Sequence, residues 1–393
     1  MGVRSARRLP DCTLRGYNPL MNRHPPPRPP TPSPRPAAPA PRPVDGEYEA
    51  EIIPGLGDMA QADLGARAGA GLTFVPSARP DVIRFRYRGD VRALLALRSV
   101  VAVSRVAHFA VPRPRGLLGN EQFGQLLGLI DEVRRLHPTD AFRTLRLSAA
   151  GEDSAVLLRL RAQLVARTGL REAAGEGDLL LRLRRATDGA GWEAVLRLSP
   201  RPLTARAWRV CNWPGALNAV VAQALVRWGT PSAADRVLNL VCGSGTLLIE
   251  RLAVGPLTLA VGYDADPAAL ACAARNLAAA GAITPRLVQA AAGQLPFPAG
   301  LFTHLVADLP FGQLVGSHTA NTQLYPRLLA EATRVAAPGA WLALITHEVR
   351  LLDRLLAAPP FAAAWQPVET LRITLPFGTG GLNPRIYCLR RSG

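Results

Sequence analysis

The stretch Val237-Leu238-Asn239-Leu240-Val241-Cys242-Gly243-Ser244-Gly245-Thr246 decides how the chain is read. An apolar strand runs into a Gly-x-Gly turn, and a helical pattern begins at Thr246. Glycines let the backbone approach a ligand closely, and a helix start offers unpaired N–H groups. Such a turn can also merely pack. Nineteen residues after Gly245, the next strand ends in Gly262-Tyr263-Asp264-Ala265-Asp266-Pro267. A carboxylate at Asp264 can take both hydroxyls of a ribose. Asp266 reads as a helix N-cap before Pro267. The third glycine of a dinucleotide fingerprint is missing, which favours an adenosine ligand other than NAD.

Outward from this pair, strands are expected at 237–241, 257–263, 286–289, 304–308, 341–346, 371–375 and 386–389. Helices are expected at 216–228, 246–252, 267–280, 323–335 and 348–356. The last two strands have only a turn-rich segment between them. The fold class is therefore α/β: a Rossmann-like, seven-stranded, mostly parallel sheet with an antiparallel edge strand. Its fourth strand ends in Asp308-Leu309-Pro310-Phe311-Gly312. Open α/β sheets bind ligands at the carboxyl ends of strands near the point where strand order reverses. A carboxylate, a proline-stiffened backbone and an aromatic ring at that place suit a planar base bearing an exocyclic amine. Asp308 and the carbonyls of Leu309 and Pro310 can accept the amine's hydrogens, and Phe311 can stack on the ring. A strand-end turn over a buried Phe would look the same.

Residues 44–203 have another rhythm. Short strands around Glu47–Ile53, Val82–Tyr87, Ser99–Val106, Arg143–Leu147, Leu179–Arg184 and Trp192–Leu198 alternate with helices around Phe123–Leu136 and Ser154–Thr168. This implies small α+β units with antiparallel pairs. Residues 1–43 carry 13 prolines, and the expectation is a disordered Pro/Arg-rich tail, or an extension upstream of a true start at Met21.

All 46 basic residues are arginine, and the net charge is +17. The excess is +7 in 1–43, +7 in 44–228 and +3 in 229–393. A basic module beside a nearly neutral one suits an enzyme that grips a polyanion with one part and reacts with the other. No apolar run is long enough to span a bilayer, and the first 25 residues lack a signal-peptide apolar region. The five cysteines are scattered and never in CxxC spacing, which argues against a disulfide framework and for a reducing compartment.

CGSGT, GYDADP and DLPFG at the ends of three strands resemble class I S-adenosylmethionine-dependent methyltransferases. More closely they resemble the amino-methylating branch, which carries an Asn/Asp-Pro-Pro-Tyr/Phe motif. Leu198 to Arg209 resembles the link between a THUMP RNA-binding domain and such a catalytic domain. The resemblance runs from about Glu47 to the C-terminus and is closest to THUMP-containing tRNA guanine-N2 methyltransferases. It implies a tail (1–43), an N-terminal ferredoxin-like domain (44–115), a THUMP-like domain (116–203) and a methyltransferase domain (204–393). It implies S-adenosylmethionine as cofactor, held by Asn218, Asn239, Cys242, Gly243, Gly245, Thr246, Asp264, Ala265, Ala291 and Asp308. Asp308, Leu309, Pro310 and Phe311 would form the catalytic motif. The partner would be RNA, tRNA first, for a cytoplasmic monomer with no membrane partner. The same chemistry on ribosomal RNA or adenine N6 stays open, as does a non-catalytic RNA-binding protein. Three stretches depart from the family. Asn239 and Leu240 replace an Asp-Pro pair, Ala290-Ala291-Ala292 replaces a segment with an adenine-facing acid, and Leu309 replaces a proline.

Other residues read more plainly. Cys242 and Cys272 suit small core positions, and no cysteine follows Phe311 to serve pyrimidine C5 chemistry. His304, His318 and His347 lack metal-ligand spacing, with His318 near the expected pocket mouth. Trp208 and Trp213 suit linker packing. Arg182-x-Arg184-Arg185 suits either phosphates or a solvated strand edge.

Overall fold

The computed structural model describes residues 44–393 except 188, 283–284, 312–316 and 378–379. The expected tail with Met21, Asp188 between the strands expected at Leu179–Arg184 and Trp192–Leu198, and Gly312 lie outside the described residues. No helix among the described residues is long and apolar enough to cross a membrane.

The N-terminal half begins with β1 (Val44–Glu51), α1 (Gly57–Ala68), β2 (Leu72–Val75), β3 (Val82–Gly89), α2 (Arg92–Leu95) and β4 (Ala102–Phe109). It continues with α3 (Asn120–Arg134), β5 (Thr144–Ala149), α4 (Ala155–Thr168), β6 (Arg171–Glu172), β7 (Leu179–Arg185) and β8 (Trp192–Arg197). The two expected α+β units share one eight-stranded sheet, ordered β2-β3-β1-β4-β8-β7-β5-β6. The first four strands keep the order of a ferredoxin-like βαββαβ unit. Antiparallel pairing of β4 with β8, from Ser104–Arg197 to Phe109–Trp192, joins the units.

Period-two alternation decides the faces. In β3, Ile83, Phe85 and Tyr87 enter the helix-covered core. Arg84 faces the other way, bonding Glu47 at 2.6 Å and Glu193 at 2.8 Å. Arg184 bonds Glu49 at 2.6 Å and Glu193 at 2.9 Å, and Arg182 reaches Glu51 at 3.4 Å. Strand β7 lies between β8 and β5. Arg182 and Arg184 therefore do not lie on a strand edge; Arg184 is well paired, whereas Arg182 keeps a side chain 45% exposed. They are cross-strand partners of acids. Arg185 packs over Trp192.

The C-terminal half comprises α5 (Ala219–Val226), β9 (Arg236–Leu240), α6 (Thr246–Leu252), β10 (Leu259–Asp264), α7 (Pro267–Ala279), β11 (Arg286–Gln289) and β12 (Phe302–Asp308). Then come α8 (His318–Val335), β13 (Ala336–Thr346), α9 (Val349–Ala357), α10 (Phe361–Ala364), β14 (Trp365–Arg372), β15 (Leu375–Phe377), β16 (Gly380–Leu382) and β17 (Arg385–Arg391). The seven-stranded sheet has the order β11-β10-β9-β12-β13-β17-β14. Its antiparallel strand is not at the edge. Strand β17 inserts between β13 and β14 and runs antiparallel to both. The edge strand β14 starts at Trp365, earlier than the apolar pattern suggested. It is mostly exposed, carries Pro367 and is irregular between Pro367 and Glu369, features an edge tolerates.

The halves interlock around α6 and α5. Ile53 and Leu56 share a core with Leu217, Val220, Val221 and Ile373. The Pro54–Gly55 turn meets the end of β14, where Thr374 N–H donates to the Pro54 carbonyl at 3.2 Å. Gly55 has φ +96°, and a side chain there would overlap the Arg372 carbonyl. Asp63, buried on α1, accepts the N–H groups of Arg98 and Ser99 at 3.0 and 3.1 Å. Glu250 on α6 is fully buried and pairs with Arg98 at 2.8 Å and Arg206 at 2.9 Å. Two guanidiniums from different segments thus converge on one desolvated carboxylate. Removing that charge strands both cations. Glu250→Gln is expected to lower unfolding free energy by about 3 kcal/mol in urea denaturation. A variant as stable as the wild type would contradict this role.

Candidate active site

A cavity of about 640 Å³ opens at the carboxyl ends of β9, β10 and β12. Strand β9 lies between the other two, so this is where strand order reverses. The segment Trp213–Asn218 and the turn after β9 form one wall, Asp264 and Asp266 another, and Asp308–Phe311 a third, with Leu375 and Leu382 at the rim.

The turn after β9 is left-handed at three residues: Val241 (φ +45°), Gly243 (+51°) and Gly245 (+78°). Glycine adopts this freely, but a β-branched residue there is strained, typically by about 1–3 kcal/mol. The strain at Val241 is held by neighbours. Cys242 N–H donates to the Tyr263 carbonyl at 2.8 Å, and Gly243 N–H to Asp264 Oδ2 at 2.8 Å. A Cβ on Gly243 would meet only Trp213, at 3.9 Å, so its backbone faces open space. Gly245 is the N-cap of α6.

Asp264 receives Gly243 N–H on one oxygen and Asp266 N–H, at 3.0 Å, on the other. Each oxygen keeps a lone pair, and the carboxylate is fixed on the cavity wall. Vicinal hydroxyls of a ribose match that geometry. Asp266 caps α7 through Ala268 N–H at 2.8 Å. Asn218 caps α5, its Oδ1 accepting from Val220 N–H at 2.9 Å and Thr204 Oγ1 at 3.0 Å. Among the described residues its amide nitrogen has no acceptor, which leaves it for a ligand carboxylate.

Asn218, Cys242, Gly243, Thr246, Asp264 and Asp308–Phe311 thus line one cavity, whereas other expected residues do not. Asn239 is 1% exposed, and its amide donates to the carbonyls of Leu240 and Val306 at 3.1 and 3.3 Å. It is not in the cavity lining, and its buried Oδ1 has no partner among the described residues. Gly245 and Ala265 are not in the lining: Gly245 is the N-cap of α6, and Ala265 is exposed, its carbonyl accepting from Gln289 Nε2 at 3.2 Å. Ala291 follows β11, and its carbonyl is taken by Gln294 N–H at 3.1 Å. Cys242 lines the cavity, but burial pushes its thiol far up, out of reach of nucleophilic use.

At the end of β12, Asp308 is half-buried and accepts no hydrogen bond among the described residues. Burial pushes its carboxyl up to about 7. The Pro310 carbonyl accepts from Asn321 Nδ2 at 2.9 Å and Tyr325 Oη at 2.7 Å. Both donors are fully buried, and Tyr325 also reaches Thr346 Oγ1 at 2.7 Å. Both lone pairs of that carbonyl are engaged. The acceptor set expected for a target amine therefore shrinks to Asp308 and the Leu309 carbonyl. Phe311 is half-buried, its ring centroid 6.3 Å from that of His347.

Several supports escaped the sequence reading. Asn276 on α7 is fully buried, bonds Cys211 through N–H and carbonyl at 2.8 and 3.0 Å, and donates to the Ser244 carbonyl at 3.1 Å. Asn321, Tyr325 and Asn276 share one legible signal, a polar side chain on the apolar face of a helix. Trp208 packs in a small core, but Trp213 lines the cavity, contrary to the expectation of linker packing for both. Cys211 and Cys272 form a disulfide, Cα–Cα 5.5 Å. Their spacing of 61 residues hid the pairing, which arises because the linker folds back over α7. His304 pairs with Asp235 at 3.3 Å, and His318 with Glu348 at 2.9 Å. No cluster of three or more His, Cys, Asp or Glu fit for a metal occurs among the described residues.

Residues 206–370 match the UPF0020 family of RMKL-like methyltransferase domains. This segment is similar to the methyltransferase domains of that family. The chain is also similar to curated relatives. One is the tRNA (guanine(6)-N(2))-methyltransferase of Thermus thermophilus, 32% identical over 214 residues, 53% of this chain and 60% of that one. Another is the tRNA (guanine(6)-N(2))-methyltransferase THUMP3 of Bos taurus, 28% identical over 192 residues, 46% of this chain and 37% of that one. The chain thus spans less than two thirds of the length of either relative. The structure of TrmN from Thermus thermophilus superposes with a TM-score of 0.65 at 24% identity, covering 88% of this chain and 99% of that one. The shared fold therefore includes the N-terminal half.

Asp308 links the cavity to stability. Its folded pKa, about 7, lies above the ordinary 3.8, so the fold favours the neutral acid. The associated stability is present at low pH and lost as pH rises through about 7. Asp308→Asn is expected to match the wild type at pH 4 and exceed it at pH 8 by roughly 2–4 kcal/mol. Denaturant titrations at both pH values check this, and an equal difference at both would contradict it.

Proposed function

We propose that the chain is an S-adenosylmethionine-dependent RNA methyltransferase acting on an exocyclic amine, namely guanine N2 of tRNA. One observation carries the reading: a carboxylate suited to ribose and a carboxyl with no donor among the described residues, beside an aromatic ring, line the same 640 Å³ cavity. The names of the relatives support the substrate class. The domain division at 115 and 203, a cytoplasmic location and a monomeric state go with this reading.

When bound, S-adenosylmethionine supplies a methyl group activated on a positively charged sulfur. The Asp264 carboxylate holds the ribose hydroxyls. The backbone at Gly243 and the start of α6, with the Asn218 amide, receive the amino-acid end. Apolar walls at Trp213, Leu217 and Leu247 exclude water. Phe311 stacks on the target base. Asp308 and the Leu309 carbonyl accept the amine's hydrogens and turn its nitrogen toward the methyl group. Beside the donor's positive charge Asp308 ionises more readily, so it is ready to take the proton that the methylated nitrogen releases. Asn321 and Tyr325 hold the Pro310 carbonyl and so fix the backbone that carries Asp308 and Phe311.

The test is methylation of an unmodified tRNA pool, followed by mass spectrometry of its nucleosides. N2-methylguanosine is expected. Failure to bind the cofactor would favour a non-catalytic RNA-binding protein, and N6-methyladenosine would move the activity to adenine. With respect to pH, kcat/KM is expected to fall about tenfold per unit below about 7, the free-enzyme value of Asp308. The profile of kcat should break at lower pH. A flat kcat/KM between pH 5.5 and 8 would contradict the role of Asp308. Tyr325→Phe is expected to lower kcat about 10- to 100-fold through backbone misplacement while leaving cofactor affinity unchanged. An unchanged kcat would show that the Pro310 anchor is not needed.

A further inference from the structure

Beside the cavity lies a larger groove of about 1240 Å³. Its lining includes Arg350 and Arg354 on α9, Arg372 at the end of β14, and Arg385 at the start of β17. Residues 229–393 contain 12 arginines, so a third of the cations of this nearly neutral half gather in one depression. Arg350, Arg354 and Arg372 have no acidic partner among the described residues. Only Arg385 is paired, with Asp353 at 3.1 Å.

Groove and cavity share a wall. Ile373, Thr374 and Asn383 face the groove, while Leu375 and Leu382 on the same hairpin face the cavity. At the junction His347 in the groove lies ring to ring with Phe311 in the cavity, 6.3 Å between centroids. Next to the Arg372 side, the Thr374 N–H bond to Pro54 joins the groove to the N-terminal half.

We propose that this groove holds the sugar–phosphate backbone of the RNA strand whose target base enters the cavity past Phe311. The proposal rests on the reading of the cavity as a base-methylating site. It adds a phosphate-binding track on the methyltransferase domain itself, where the distribution of charge had put polyanion binding in the N-terminal two thirds. Unpaired guanidiniums suit phosphate oxygens geometrically as well as by charge. The shared wall turns a strand bound in the groove so that one nucleotide can leave the stack toward Phe311.

The test uses the full chain carrying Arg350→Ala and Arg354→Ala together. Arg354 otherwise donates to the Arg350 carbonyl on its own helix. Filter binding of total tRNA over a potassium chloride series is compared with the wild type. The expected result is about a tenfold weaker affinity at moderate salt and a log–log salt slope smaller by about two. The Arg350→Lys, Arg354→Lys variant is expected to retain the wild-type slope, which separates lost charge from a disturbed helix. Affinity for S-adenosylmethionine should not move. An unchanged tRNA affinity and slope in the alanine variant would overturn the groove assignment, and so would an equal loss in the lysine variant. Wild-type methyl transfer, measured in parallel, judges the proposed function separately. Transfer with an unchanged slope removes the groove alone, and a changed slope without transfer removes the function alone. An acidic protein rather than RNA as occupant would also appear as an unchanged slope.

Discussion

The strand β12 ends in a carboxyl group that no donor among the described residues satisfies, and the walls of the cavity hold it in place. Ionising Asp308 in place is costly because burial disfavours its charge. The fold keeps it there with rigid neighbours. Leu309 N–H is tied to the Ile345 carbonyl at 3.0 Å, and the Pro310 carbonyl is tied twice. On the opposite wall the Asp264 carboxylate is fully ordered by two backbone N–H groups. The two acids thus have different environments and different uses. One is pinned and suited to passive hydroxyl binding. The other has no partner among the described residues, and burial raises its pKa to about 7, where it can accept a proton.

The walls between these acids depend on packing some distance away. The glycine turn that approaches the ligand space is strained at Val241, and it is braced by Asp264 and by Asn276. Helix α6 begins at that turn and carries Glu250, where Arg98 and Arg206 converge. The junction of the two halves therefore bears on the helix that opens the cavity. The Gly55 turn adds a second junction at the end of β14, next to the arginine groove. In the N-terminal sheet Arg84 and Arg184 pair with acids of other strands, in places across two intervening strands.

Much of this was legible in the sequence because local patterns determine it. Apolar runs ending in Gly-x-Gly, in Asp264 and in Asp308 mark three strand ends, and the sheet brings the three together. Asp266 before Pro267 gave a helix start that the structure contains. What stayed hidden depends on contacts distant in sequence. The insertion of β17 between β13 and β14 is a matter of pairing, which periodicity does not encode. Asn239 matched a motif by position, yet its strand buries it among backbone carbonyls. The Cys211–Cys272 bond, the engagement of the Pro310 carbonyl and the pairing of Arg182 and Arg184 all arise between elements. A polar residue on an apolar helix face, as at Tyr325 and Asn276, was the available signal for two of these supports.

The central claim is that one cavity seats the methyl donor between Asp264 and Asp308. A crystal structure of the full chain with S-adenosylhomocysteine tests it most directly. The account predicts ribose hydroxyls on the Asp264 carboxylate, the amino-acid end at the Gly243 turn, and sulfur facing the Asp308–Phe311 wall. Density for the ligand elsewhere, or a ribose that leaves Asp264 untouched, would contradict it.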